Sequence, residues 1–217
     1  FEDANEILQN SNVDVRLRLE RMYYISVDEE GFGGISRNNS MQDALSYFAS
    51  GVASDAIGLR SVRQNDQADI VTVLVSELDD FCGIGYQMNE ENESTFANLA
   101  YNIVNIDCID THTFMHEVGH NMGAGHNADD QFTANGADNP PRYSYSYGSR
   151  TTKFGFRTMM AYKCEGDNDE DLCPRIPYFS NPNLRYEGHR IGTENEADNA
   201  RTLSLTRWVV RDFNGGE

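Results

Sequence analysis

The sequence predicts an α+β domain: a twisted mixed β-sheet with an antiparallel edge strand under helical cover, then a loop-rich half that closes on a helix. Three observations lead there. Apolar residues alternate with polar ones in some segments, with the period of a half-buried strand. They recur at helical spacing in others. After residue 127 the periodicity fades into polar, Gly, Asn and Tyr positions.

Each element follows in order. Residues 3–10 (DANEILQN) read as a short amphipathic helix. Val13 to Ile25 alternates through Val13, Val15, Leu17 and Leu19, which predicts a strand. From Met41 to about Gln64, Leu45, Phe48, Val52, Ala56 and Leu59 fall at helical spacing. Asp69 to Ser76 (DIVTVLVS) predicts a buried strand, and two further strand-like runs occupy Gly83–Met88 and Ala100–Ile106. The strand at Gly83–Met88 is the candidate edge, because its glycines let another backbone approach. A helix capped by Asp110 is expected next, with Phe114, Met115, Val118 and Met122 facing the core. The final helix is placed from Thr193, where Thr193 and Glu196 form a T-x-x-E box. Its expected apolar stripe is Leu205, Trp208, Val209 and Phe213.

Composition narrows the classes of function. The chain has 217 residues and a mass of 24.4 kDa, enough for one domain with a full core. Its 17 basic and 35 acidic residues give 17 − 35 = −18. Such a field repels phosphate backbones, so no nucleic-acid partner is expected. The longest apolar run, Ala68–Val75, is too short to span a bilayer, so no membrane insertion is expected. No signal peptide opens the sequence, so the expectation is a cytoplasmic chain or a mature form whose leader was removed. Cys82, Cys108, Cys164 and Cys173 allow three pairings, and none lies in a C-x-x-C pair. An even count fits two disulfides and an oxidising compartment; four buried thiols are the alternative. A Cys82–Cys108 bridge would tie neighbouring strands and leave Cys164–Cys173 to close a small loop.

The informative segment is His116-Glu117-Val118-Gly119-His120-Asn121-Met122-Gly123-Ala124-Gly125-His126. On a helix, His116 and His120 stand one turn apart and project to one side. Two imidazoles so placed reach one zinc ion, and Glu117 falls beside it, where a general base for a water belongs. A continuing helix would carry His126 away. Gly123 can take φ > 0 and turn the chain back, so that His126 supplies a third nitrogen. Three neutral histidines leave a fourth position open, which marks a catalytic site. His112, one turn earlier, reads as a solvent-facing or supporting residue, and His189 as exposed in a turn.

These eleven residues resemble the zinc-binding consensus of the metzincin metalloendopeptidases. Thr158-Met159-Met160-Ala161-Tyr162 resembles that clan's methionine turn, with Met160 as the turn methionine and Met159 the alternative register. The resemblance implies a metzincin-like fold over residues 1–217: an upper subdomain, 1–126, with the active-site helix, and a lower one, 127–217, with the turn and the C-terminal helix. In the astacin and serralysin branches a tyrosine at the spacing of Tyr162 ligates zinc at rest and swings away. That implies a phenol able to stabilise an oxyanion; an ordinary packed tyrosine is the other reading. Asn127 stands where the adamalysin/reprolysin branch usually has aspartate. Beyond the motif, C-G-I-G-Y at 82–86, Y-F-S-N-P-N at 178–183 and A-D-N-A-R-T-L at 197–203 are similar to the bacterial reprolysin-like enzymes, a group that includes the peptidyl-Asp metallopeptidases.

The resemblance implies a secreted, monomeric zinc endopeptidase acting on protein or peptide substrates, with an inhibitory propeptide removed. Zn2+ would activate water, with Glu117 as base and acid. Substrate would lie extended against Gly83, Ile84 and Gly85. The pocket for the residue after the cut would be walled by about 162–180, with Arg175, Ile176 and Tyr178 as candidates. An inward Arg175 would favour an acidic side chain. Carboxylates at 165–171 suggest Ca2+ or a solvated, stapled loop. A non-catalytic binding module is the rival from another class; an intact Glu117 beside all three histidines counts against it.

Overall fold

The computed structural model describes residues 1–24, 40–50, 54–76, 81–129, 140–164 and 171–214. The chain forms two compact units: Phe1–Leu17 with Gln87–Glu93 and Met122–Arg207, and Arg18–Tyr86 with Ser94–Asn121 and Trp208–Glu217.

The second of these is built on a three-stranded sheet. Strands β1 (Val71–Val75), β2 (Gly83–Gly85) and β3 (Tyr101–Asn105) lie in the order β1-β3-β2. β1 runs parallel to β3, and β2 runs antiparallel to it with Ile84 opposite Ile103. The sheet is therefore mixed, and β2 is its antiparallel edge among the described residues. Alternation gives the sheet two different faces. One carries Val71, Val73, Val75, Ile84, Tyr101 and Ile103 onto helix α2 (Met41–Ser50), whose Met41, Ala44, Leu45 and Phe48 are buried against them. The other carries Gly83, Gly85 and Asn102 onto helix α4 (Thr113–Asn121). The Cys82–Cys108 disulfide joins the segments that flank β2 and β3.

Helix α3 (Ser54–Asn65) follows α2, so the helical run expected from Met41 to Gln64 is two helices; 51–53 lie outside the described residues, as does Val52 with them. Arg63 in α3 is buried, and its guanidinium donates to the carbonyls of Ala68, Ala97 and Asp69. A buried cation is tolerated there because its donors are met. β1 is half-buried rather than buried, with Leu74 49% exposed.

The other unit is loop-rich, as its weak periodicity implies. Among its described residues it holds helix α1 (Glu2–Asn10) and three small two-stranded sheets. β4 (Gly125–Asn127) pairs parallel with β5 (Tyr147–Gly148), β6 (Arg150–Thr151) pairs with β7 (Phe156–Arg157), and β8 (Arg185–Tyr186) pairs with β9 (His189–Arg190). Phe156, Ile176 and Ile191 form a local core. The Cys164–Cys173 disulfide ties the ends of the acidic loop. Helix α5 spans Asn199–Arg211.

Further expectations are corrected. Residues 13–17 alternate in exposure and 18–24 are exposed throughout, but 13–24 belong to no sheet; the Asn5 side chain holds both the N–H and the carbonyl of Leu17 in place of a neighbouring strand. Thr193 does not begin the last helix. It closes a turn with Ala197, and Asp198 caps α5 by accepting from the Arg201 amide. The helix is also rotated from the expected stripe. Ala200, Leu203, Thr206 and Val210 are buried, whereas Leu205 and Trp208 are about half exposed. Threonine suits the buried face because Thr206 donates to Met122 and Thr202 carbonyls, and Thr202 pairs with Ser146.

Candidate metal centre

The helix that carries the first two histidines is entered through a 3-10 turn, Ile106–Thr111, capped by Asn105. Asp110 lies exposed in that turn and does not cap α4. His112 takes the left-handed conformation at φ 60° and its carbonyl accepts from His116 N–H, so His112 begins the helix without joining the site. Met115 and Val118 bury the underside. At the far end, Asn121 accepts from Asn102 and donates to the carbonyls of Tyr86 and Tyr101. The bonds to Asn102 and Tyr101 are buried, so they fix how the helix is rotated on β3. His116 and His120 consequently sit ring to ring, with centroids 4.8 Å apart and planes at 88°.

Gly123 then turns the chain. Its φ is +90°, and a Cβ there would lie 2.7 Å from the Arg142 Cβ, so glycine is required twice over. The turn is held by Arg142 N–H on the Gly123 carbonyl and by Gly125 N–H on Ser146. β4 delivers His126. His116, His120 and His126 each offer a ring nitrogen, and these lie within 4.8 Å of one another. A shared zinc ion at about 2.0–2.1 Å from each nitrogen needs a separation of roughly 3.3 Å, which side-chain rotation can close. Three imidazoles, two of them buried and the third half-buried, suit zinc in type and number.

Behind His126, Asn127 reaches in two directions. Its Oδ1 accepts from the Tyr162 amide, and its Nδ2 donates to Asp129. Asp129 accepts in turn from Arg150, which also donates to the Lys163 carbonyl. The Arg150 hydrogen bond outweighs partial burial and holds the Asp129 carboxyl below its ordinary range. This explains the departure at position 127: aspartate could take the Tyr162 amide but could not donate to Asp129. Thr158–Ala161 form a tight turn in which Met159 and Met160 are both fully buried. Thr158 bonds Ser149 in both directions, and Met159 N–H bonds the Tyr178 carbonyl. The Tyr162 ring beyond the turn lies against His126.

Glu117 is 4% exposed. A Cβ on Gly83 would meet its Oε1 at 2.8 Å, and one on Gly85 its Oε2 at 3.1 Å. Ile84 points to the opposite face, into the α2 core. Ile176 is buried beside Phe156 and Ile191, with Tyr178 half-buried at the edge of that cluster. Arg175 is half-buried and bridges backbone to backbone with Arg157. Residues 165–170, on which the calcium reading rests, lie outside the described residues. Asp171 at their end is held by Arg157 and by the Cys173 amide. His189, expected to be exposed, is half-buried and stacks on Phe154 at 3.6 Å.

Comparison with known proteins agrees with this geometry. The pattern of metallo-peptidase family M12, in its reprolysin-type form, matches residues 1–180. The chain is 30% identical over 216 residues to a peptidyl-Asp metalloendopeptidase of Stenotrophomonas maltophilia (strain K279a), covering 97% of this chain and 46% of the relative. It is 31% identical over 216 residues to one from Xanthomonas campestris pv. campestris, covering 97% and 45%. A third, from Pseudomonas aeruginosa, is 29% identical over 232 residues, covering 98% and 35%. The chain thus spans less than half the length of these relatives. In fold it resembles a chain in a solved structure of a chaperone–substrate complex, at 21% identity and a TM-score of 0.66, over 99% of this chain and 30% of that one. The match over most of its length, together with the three gathered histidines, makes the chain a reprolysin-like member of metallopeptidase family M12.

Proposed function

We propose that the protein is a secreted zinc endopeptidase that hydrolyses internal peptide bonds of extended substrates. The convergence of His116, His120 and His126 beside a buried Glu117 carries this reading. When bound, zinc supplies Lewis acidity that polarises a scissile carbonyl and makes water easier to deprotonate. Glu117 accepts the proton of the attacking water and later delivers it to the departing amine, so no acyl-enzyme forms. The Tyr162 phenol, anchored beside His126, donates to the developing oxyanion. Met160 supports the site from below.

Substrate adds a strand beside β2, the sheet edge. The segment from Tyr162 to Ser180, with Arg175, Ile176 and Tyr178, forms the wall of the pocket after the cut. The relatives' name, peptidyl-Asp metalloendopeptidase, suggests cleavage next to aspartate here too. Two disulfides suit secretion, and no helix among the described residues is long and apolar enough to cross a membrane. A monomeric catalytic domain released from a propeptide completes the reading.

The test pairs two variants with bound-metal analysis and a peptide-library cleavage profile. Glu117→Ala should keep zinc and lose hydrolysis, and His120→Ala should lose zinc. Proteolysis by a zinc-loaded Glu117→Ala protein would refute the role given to Glu117.

A further inference from the structure

We infer that Gly83 and Gly85 are positioning residues for the Glu117 carboxylate, an inference that rests on Glu117 being the proton acceptor. The two glycines stand two apart on β2, so they share one face of the strand. That face meets α4. A Cβ on Gly83 would lie 2.8 Å from Glu117 Oε1 and 2.8 Å from the Thr113 Cγ2. One on Gly85 would lie 3.1 Å from Oε2, 3.2 Å from the Asn102 Cβ and 3.3 Å from the Glu117 carbonyl oxygen. Each carboxylate oxygen therefore rests against a different glycine.

Backbone conformation does not call for these glycines. Neither has the positive φ that Gly123, Gly155 and Gly188 show. Glycine in a strand loses more chain entropy than any other residue and packs nothing against its neighbours. Two of them in a three-residue strand need a reason, and the space they leave is occupied by Glu117. The same wall that admits the carboxylate limits its rotation, so the side chain is set before substrate arrives. A methyl group on either glycine pushes the carboxylate aside, and displacement by about 1 Å at a reacting group costs on the order of 100-fold in rate.

The experiment places Gly83→Ala and Gly85→Ala in the wild type and in Glu117→Ala, and reads kcat, KM, zinc content and the unfolding midpoint of the metal-free protein. In the wild type, each should lower kcat roughly 100-fold, leave KM within about threefold and keep one zinc. Each should also lower the metal-free midpoint. In Glu117→Ala the same alanines should lower the midpoint less, because the carboxylate contact is gone while those with Thr113, for Gly83, and with Asn102 and the Glu117 carbonyl, for Gly85, remain. An equal loss of midpoint in both backgrounds, or wild-type kcat in both alanine variants, would overturn the inference and assign the glycines to helix–strand contact. Gly83→Ala also meets Thr113, so Gly83→Ala with Thr113→Ala separates that contact: rescue by Thr113→Ala alone counts against the carboxylate. Should Gly85→Ala fail to fold, Glu117→Asp, one methylene shorter, should restore folding. Hydrolysis by Glu117→Ala would instead remove the proposed chemistry while leaving the midpoint cycle intact.

Discussion

The ring of Tyr162 lies on that of His126, with centroids 3.9 Å apart and planes tilted by 36°. Tyr162 is 38% exposed, and its amide is tied to Asn127, the residue after His126. The aromatic contact and the amide bond together fix where the phenol starts from.

Tyr162→Phe keeps the ring contact and removes only the hydroxyl. Zinc content should stay at one, and kcat should fall roughly 100-fold with KM little changed, the loss expected for one oxyanion donor. Steady-state kinetics on a quenched peptide decides it. Wild-type kcat would assign Tyr162 to packing alone.

Asn127→Asp keeps an acceptor for the Tyr162 amide but sets a second carboxylate against Asp129. The lost hydrogen bond at a buried site should cost about 1–2 kcal/mol in a denaturant titration. Asp129→Asn should cost less, since Arg150 then loses a charge partner at the surface but an acceptor remains.

Metal should stabilise the fold. Three histidines gathered in the native state are scattered in the unfolded chain, so a zinc concentration 100 times Kd should add about 2.7 kcal/mol. Chelation should lower Tm and added zinc should restore it. His126→Ala should abolish that response, and a zinc-dependent Tm in this variant would show the ion is held elsewhere.

Asp69 gives a pH dependence of its own. Burial pushes its carboxyl up to about 6 from 3.8, and Asp212 nearby adds to this against the opposing pull of Arg63. Its ionised form is disfavoured in the folded state, so its penalty is absent below 3.8, grows as pH rises, and is complete above about 6. Asp69→Asn should therefore stabilise the protein at pH 7 and make no difference near pH 3.5. Denaturant midpoints of both proteins across that range test it. A difference that does not shrink on acidification would contradict the assignment.

The spans of α1, β1, β2 and β3 were legible to within a few residues because each element keeps one period. Failures came where side chains took over the work of backbone. Val13 to Ile25 reads as a strand by alternation, yet Asn5 satisfies Leu17 and residues 13–24 pair with no neighbour; Ile25 lies outside the described residues. Leu205 and Trp208 read as core by hydropathy, yet Thr202 and Thr206 lie buried because their hydroxyls find partners within a turn or across to Met122. Hydropathy ranks residues one at a time and does not see which polar groups are satisfied.

By itself the sequence determined the donor set. The spacing of His116 and His120 is a turn of helix, and glycine is the residue type that ends that helix with φ at +90° at position 123. These are local constraints, written within eleven residues. Tertiary structure alone decided what surrounds them. It set the helix by Asn102 and Asn121, laid Tyr162 on His126 through Asn127, and gave Glu117 the space that two glycines leave open. Those relations join residues 19 to 36 positions apart in the chain, such as Asn102 with Asn121 and His126 with Tyr162. They depend on packing, whose geometry no local period encodes.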